Sequence, residues 1–360
     1  MARRQPFGQG LRAVGRFLWQ LGPPTVARFA AASAVSALRY RSLGASLSVD
    51  ASTHCQLNCP ACSQARGELG VVGRGNLDPA DLRNLLDSNP AIRNLELSNY
   101  GEIFLNPGLV EILSLARERR VSATALNGVN LNTVADHVLE ALVRQRMLFL
   151  VVSLDGASPA TYQEYRRGGD FGRVLSNIQR INHFKQKLGS PFPHLIWQFV
   201  VFSHNRHELP LARSMSRDLG MGFLSKRNWS STYSPLPETE PENAAADVGY
   251  VPGARRRGRQ RVLALPVCAM LWYSPQVNWD GKLLGCCANK SRDFGNVFTS
   301  GLGECLRGER YRYAKRMVLD LVPPRADIPC TTCSTFHRLE ADRGRFLGSR
   351  LLRMLLAPLT

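Results

Sequence analysis

The sequence predicts an α/β protein, with six β-α units winding into a partial barrel ahead of a small cysteine-bearing α+β domain. Between residues 46 and 226 short apolar runs alternate with amphipathic stretches, the pattern of strands and helices that builds a parallel sheet. The conspicuous polar motifs fall just after the apolar runs, at the strand ends where barrels gather their ligands. Beyond a Pro-rich break the periodicity gives way to turns and cysteines.

The first 49 residues hold seven arginines and no acid. Their apolar runs, Phe17–Trp19 and Phe29–Ala37, fall short of the roughly 20 residues of a membrane span. No charged leader precedes an apolar core, as a secretory signal requires. Residues 1–45 therefore read as a basic helical extension that lies on the main domain or touches a membrane surface or partner.

"SLSVDA" (46–51) opens the barrel as its first strand. "NLELSN" (94–99), "VSATALN" (121–127), "MLFLVVSLD" (147–155), "LIWQFVVF" (195–202) and "MGFLSK" (221–226) are the next five. Helical periodicity fills 79–88, 107–119, 133–145, 173–188 and 207–219. The barrel spans 46–232 and a Pro- and Arg-rich linker 233–262, in which "RRRGRQR" (Arg255–Arg261) reads as solvated charge. A small domain follows at 263–340: a hairpin about Asp280-Gly281, a helix near 303–318 and "PCTTC" (329–333). Residues 341–360 form a basic helical tail.

Length bounds the chain at two or three domains, and a net charge of +18 favours anionic partners. Of the 46 basic residues 40 are arginine, a skew that codon usage alone can produce. The nine cysteines are clustered, which in a cytoplasmic chain points to metal binding or chemistry rather than disulfides. Cys55, Cys59 and Cys62 lie within eight positions. With His54 they make a strained zinc knuckle; alone they make a three-thiolate cluster site with one iron left open. Cys268, Cys286, Cys330 and Cys333 form a second set, whose spacing suits zinc and iron equally. Cys287 can exchange roles with Cys286, and Cys305 reads as a small buried hydrophobe.

The C-x3-C-x2-C loop after the first strand resembles the signature of the radical S-adenosylmethionine superfamily, a partial (β/α)6, TIM-like barrel. That resemblance implies a [4Fe–4S] cluster on Cys55, Cys59 and Cys62 whose fourth iron is chelated by S-adenosylmethionine. "SNYGEIFLNP" (98–107) is similar to the family's glycine–glutamate motif. Gly101 and Glu102 match it, while Asn99 and Tyr100 stand where a first glycine is common. Asn127-Gly128 resembles the turn after the third strand. "VSLDGASPATYQEYRRGG" (152–169) resembles the segment after the fourth, with Ser153 and Asp155 toward the cofactor and Arg166 toward its carboxylate. Gln198 on the fifth strand faces the pocket. The second cysteine set looks like the SPASM/twitch extension, in its shorter form with one auxiliary [4Fe–4S] cluster.

The resemblance implies reductive cleavage of S-adenosylmethionine and hydrogen-atom abstraction from substrate, fed by a one-electron donor such as flavodoxin or ferredoxin. The cysteine layout is similar to that of twitch enzymes that oxidise aminocyclitol alcohols. We therefore expect a dehydrogenase-like oxidation of a sugar or aminocyclitol, a small substrate for which the basic chain favours an anionic form. Modification of a ribosomally made peptide or protein is the alternative. A zinc-stabilised, nucleic-acid-binding protein is a distant third, so no nucleic-acid partner is expected.

Overall fold

A computed structural model describes residues 45–230, 232–236, 268, 270–333, 336, 337 and 340. The basic N-terminal extension, the arginine run of the linker and the C-terminal tail lie outside the described residues.

All six expected strands form: β1 (Ser46–Val49), β2 (Asn94–Glu96), β3 (Ser122–Val129), β4 (Phe149–Ser153), β5 (His194–Val201) and β6 (Gly222–Arg227). They pair in parallel and in chain order. Every residue of β4 is buried, as an interior strand of a sheet covered on both faces requires. The connections are α1 (Pro79–Ser88), α2 (Leu109–Glu118), α3 (Asp136–Arg144), α4 (Pro159–Tyr165), α5 (Phe171–Lys187) and α6 (Leu209–Asp218).

The helix starts are chemically marked. Asp78 caps α1 by accepting from Ala80 N at 2.8 Å, with Pro79 at the first helical position. Asp170 caps α5 from Arg173 N at 3.0 Å. Both satisfy backbone donors that the first turn leaves open. The short α4 was not expected from periodicity, although Ser158-Pro159 supplies the same start signal. One hydrophobic core, with Leu47, Leu95, Leu150 and Trp197 among its members, joins the sheet to its helices.

A seventh strand departs from the six-strand expectation. β7 (Gln276–Val277) comes from the C-terminal domain and pairs in parallel with β1. The sheet order is β6-β5-β4-β3-β2-β1-β7, so the barrel stays open between β6 and β7. The expected hairpin is present just after β7. Val277 bridges Leu283, Asn278 N donates to Lys282 O at 2.9 Å, and Gly281 makes the turn at φ +85°. α7 (Met270–Tyr273) precedes β7. The expected helix over 303–318 is two, α8 (Leu302–Arg307) and α9 (Glu309–Val318), because Gly308 takes an extended ψ of 146°. No helix among the described residues is long and apolar enough to cross a membrane.

Candidate active site

The loop after β1 carries Cys55, Cys59 and Cys62 as free thiols. Thr53 anchors its start: Thr53 N donates to Gly75 O at 3.0 Å, and Gly75 N donates to Thr53 Oγ1 at 2.9 Å. Asn58 N then bonds Arg167 O at 2.9 Å, and Cys62 N bonds Cys59 O at 3.0 Å. The three sulfurs share one apolar cluster with Leu57, Tyr165, Val200 and Phe202.

Burial, then Glu102 and the two other thiols, push the Cys55 pKa up to about 12. Burial likewise raises Cys59, against the pull of Arg166. Thiols held this way are poor nucleophiles, and a metal that displaces their protons is what would make them thiolates. Two N–H groups already approach the sulfurs, Asn130 Nδ2 at 3.7 Å from Cys55 Sγ and Arg166 Nη1 at 3.9 Å from Cys59 Sγ. Such donors belong around cluster sulfurs. Among the described residues, no three or more His, Cys, Asp or Glu are drawn together in the way a single metal ion needs. An all-thiol set with N–H donors fits an iron–sulfur cluster.

The "NYGE" loop packs directly on this loop. Glu102 N donates to His54 O at 2.7 Å. Gly101 sits at φ +75°, and a Cβ there would lie 2.5–2.6 Å from Ser52 O, Thr53 C and His54 O. Those are backbone atoms that cannot step aside. Gly101→Ala should therefore cost at least about 1–3 kcal/mol, read as a fall in thermal midpoint of the anaerobic protein. Glu102 is 2% exposed. It accepts from Phe104 N and Asn130 N, and burial raises its pKa to about 7.

The next three strand ends converge. Gly128, at φ +104°, lets Ser153 and Gln198 close in, since a Cβ there would meet Ser153 Oγ at 2.2 Å and Gln198 Nε2 at 3.0 Å. Gln198 Nε2 donates to Ser153 Oγ at 3.3 Å, while its buried Oε1 has no partner. Asn127 is held by Ser98, through its backbone N to Oγ at 3.1 Å and through Nδ2 to the carbonyl. Asp155 accepts from Val200 N at 2.6 Å.

Three of the expected residues make contacts within the protein. Arg166 gives both Nε and Nη2 to Asp155 Oδ2 at 2.6 Å, so its two-pronged face is filled by a protein carboxylate. Only Nη1 turns to Cys59. Asn99 and Tyr100 face the C-terminal domain. Asn99 Nδ2 donates to Cys287 O at 3.1 Å, and Tyr100 packs with Leu69, Val72 and Leu284. Sequence reasoning missed Asn130 beside Cys55, and Asp50, which accepts from Tyr100 N and from Gln276 Nε2. Neither has a spacing signal, because both act through distant chain segments.

Cys268, Cys286, Cys330 and Cys333 line one cavity of about 290 Å³, walled by Leu271 and Phe294. Burial, reinforced by the neighbouring thiols, pushes Cys268 up to about 11 and Cys330 to about 12, and raises Cys286. Four free thiols around one cavity again fit a cluster. Cys287 is not among the residues lining that cavity; burial raises its pKa, and Asp50 of the barrel and the Cys333 thiol act in the same direction. Cys305 is 4% exposed on α8 and belongs to the main core. The domain is tied to the first cysteine loop, because Lys290 Nζ donates to Ser63 Oγ at 2.9 Å and Trp279 Nε1 to Val72 O at 2.9 Å.

Residues 268–334 match the SPASM family model, described as an iron–sulfur cluster-binding domain. No curated protein matches the chain in sequence. Among solved structures, Streptococcus suis SuiB bound to S-adenosylmethionine aligns with 92% of this chain and 82% of its own, at TM-score 0.60 and 13% identity. SuiB bound to its precursor peptide SuiA aligns over 84% and 73%, at TM-score 0.56 and 12% identity. Native anSMEcpe with bound AdoMet aligns over 81% and 86%, at TM-score 0.52 and 13% identity. Identities this low establish a shared fold. The chain thus shares an open α/β barrel fold with structures solved with S-adenosylmethionine, and its C-terminal residues 268–334 match the SPASM iron–sulfur cluster-binding domain.

Proposed function

We propose that Cys55, Cys59 and Cys62 hold a [4Fe–4S] cluster that binds S-adenosylmethionine, and that the enzyme uses it to abstract hydrogen from a polar substrate. When bound, this pair supplies one-electron cleavage of S-adenosylmethionine and a 5′-deoxyadenosyl radical, chemistry that side chains alone cannot provide. The observation that carries the reading is one rim: three free thiols, the Gly101-Glu102 loop packed on them, and the converging ends of β3, β4 and β5.

The chain's own groups have distinct tasks. Glu102 would accept from the methionyl amine, and its ionisation is favoured once that cation arrives. Ser153 Oγ and the unpartnered Gln198 Oε1 suit the cofactor's hydroxyls. Asp155 holds Arg166, and Arg166 in turn keeps an N–H toward Cys59. Tyr165, Phe202 and Leu57 exclude water from the thiols.

The cavity ringed by Cys268, Cys286, Cys330 and Cys333 would hold the auxiliary cluster. Its hairpin meets the rim through Cys287 and Asn99, a position suited to taking a second electron from a substrate radical. That supports a two-electron oxidation of a sugar- or cyclitol-like alcohol, with flavodoxin or ferredoxin as donor. The peptide reading is favoured by one observation, the fold shared with SuiB, which has been solved with its precursor peptide.

The test is anaerobic turnover with dithionite and detection of methionine and 5′-deoxyadenosine. Both should appear in wild type. Glu102→Gln should weaken S-adenosylmethionine binding about 10- to 100-fold at unchanged iron content, the value of a charge-assisted hydrogen bond of roughly 1.5–3 kcal/mol. Unchanged affinity in isothermal titration would remove Glu102 from the cofactor site.

A further inference from the structure

The turn that leaves β3 reaches back to the first cysteine loop. Asn130 follows the last residue of β3 and is 4% exposed. Its backbone N–H donates to Glu102 Oε2, and the N–H of Leu131 bonds the same carboxylate. Its side-chain Nδ2 donates to Cys55 Sγ at 3.7 Å. One residue thus touches both the Gly101-Glu102 loop and a thiol of the first set.

Neighbouring groups fix which end of this carboxamide meets the sulfur. A backbone N–H can only donate, so the Asn130 atom 3.0 Å from Asn132 N is the oxygen. Gln56 Nε2 donates to that oxygen at 3.0 Å, and Asn130 Nδ2 donates back to Gln56 Oε1 at 3.3 Å. The nitrogen is left facing Cys55. The bond from Asn132 N closes a side-chain turn around Leu131, whose φ of +56° is left-handed. A residue with a side chain adopts that conformation only where its surroundings impose it. Here they do, since Leu131 is 0% exposed and Asn177 Nδ2 holds its carbonyl at 2.9 Å.

An N–H donated to a cluster sulfur draws electron density from it and favours the electron-rich, reduced form. Burial strengthens the effect, because little water competes for the donor. The other donors near the thiols are differently placed. Arg166 Nη1 lies 3.9 Å from Cys59 Sγ, while the other two nitrogens of that side chain bind Asp155. Leu57 N also acts on Cys55, but it belongs to the cysteine loop itself. Asn130 comes from a separate segment, 75 positions along the chain, so its donor is independent of the loop.

We propose that Asn130 is a positioning residue for electron entry: its Nδ2–H, directed at Cys55 Sγ, makes the centre held by the first loop easier to reduce. One electron enters from the external donor, and no bond is made or broken in this step. The assignment rests on the reading of Cys55, Cys59 and Cys62 as cluster ligands. Gln56 pairs with the same amide but makes no hydrogen bond to a thiol among the described residues, so it serves as the internal control.

Mediated redox titration of the anaerobic holoenzyme, followed by electron paramagnetic resonance, tests this without turnover. The reduction wave missing from the variant with Cys55, Cys59 and Cys62 changed to Ala is that of the first loop. In Asn130→Leu the ratio of reduced to oxidised protein in that wave, at a fixed potential, should fall about tenfold, a shift of about 59 mV for one electron. The other wave should stay in place. Asn130→Asp keeps the oxygen that accepts from Asn132 N and loses the N–H, so its wave should move to lower potential at least as far. Gln56→Leu removes the amide partner and leaves the donor, and should not move the wave. Iron content and circular dichroism serve as folding controls. An unmoved wave in either folded Asn130 variant would overturn the proposal. So would an equal shift in Gln56→Leu, which would reduce Asn130 to holding the loop in place. A first loop with no wave of its own would overturn the proposal together with the cluster reading. A wave that is present but does not respond to S-adenosylmethionine would defeat the radical reading and leave the Asn130 comparison standing.

Discussion

Changing Cys55, Cys59 and Cys62 together to Ala is expected to lower anaerobically reconstituted iron from about eight to about four atoms per chain, one cubane of two. Cleavage of S-adenosylmethionine should fall to background in the same sample. The expectation follows from the separation of the two thiol sets. The first shares its apolar cluster with Leu57, Tyr165 and Phe202, and the second lines its own cavity beside Leu271 and Phe294. Because the first loop is anchored by backbone bonds at Thr53, Asn58 and Cys62, removing the three sulfurs should leave the barrel folded. Iron that stays at about eight would reject this site, and iron that falls to zero would mean the second site depends on the first.

Changing Cys330 and Cys333 to Ala should separate the two halves of the proposed reaction. Cleavage of S-adenosylmethionine should persist, since its electron enters through the first loop. Two-electron oxidation of substrate should be lost, because a substrate radical would have no acceptor near the rim. A purely stabilising metal predicts something else, unfolding of the small domain. The distinction is measurable because the domain is also held by protein contacts. β7 pairs with β1, Tyr311 Oη donates to Leu271 O at 2.8 Å, and Asn278 Nδ2 donates to Val72 O at 2.8 Å. Circular dichroism and gel filtration on the variant would show whether those contacts suffice. A folded variant that still forms oxidised product at the wild-type rate would eliminate the acceptor role.

The β-α alternation was legible because each strand is a short apolar run bounded by polar residues, a pattern local to the chain. The thiol loop, Gly101 and Gly128 were legible for a related reason, since close spacing and backbone geometry are local properties. Arg166 was legible as a candidate and its partner was not, because Asp155 lies eleven positions away across a helical turn. Asn130, Asp50 and Gln276 carried no signal. Their roles arise from contacts between segments tens to hundreds of residues apart.

The sequence by itself determined the fold class and the two cysteine sets, since hydrophobic period and thiol spacing are written along one segment at a time. Tertiary structure alone decided that the C-terminal domain lends β7 to the barrel sheet and that Arg166 pairs with Asp155. The physical reason is that pairing is settled by which edge a strand meets and which charges share a cavity. Both are properties of packed surfaces, and no window of sequence contains them.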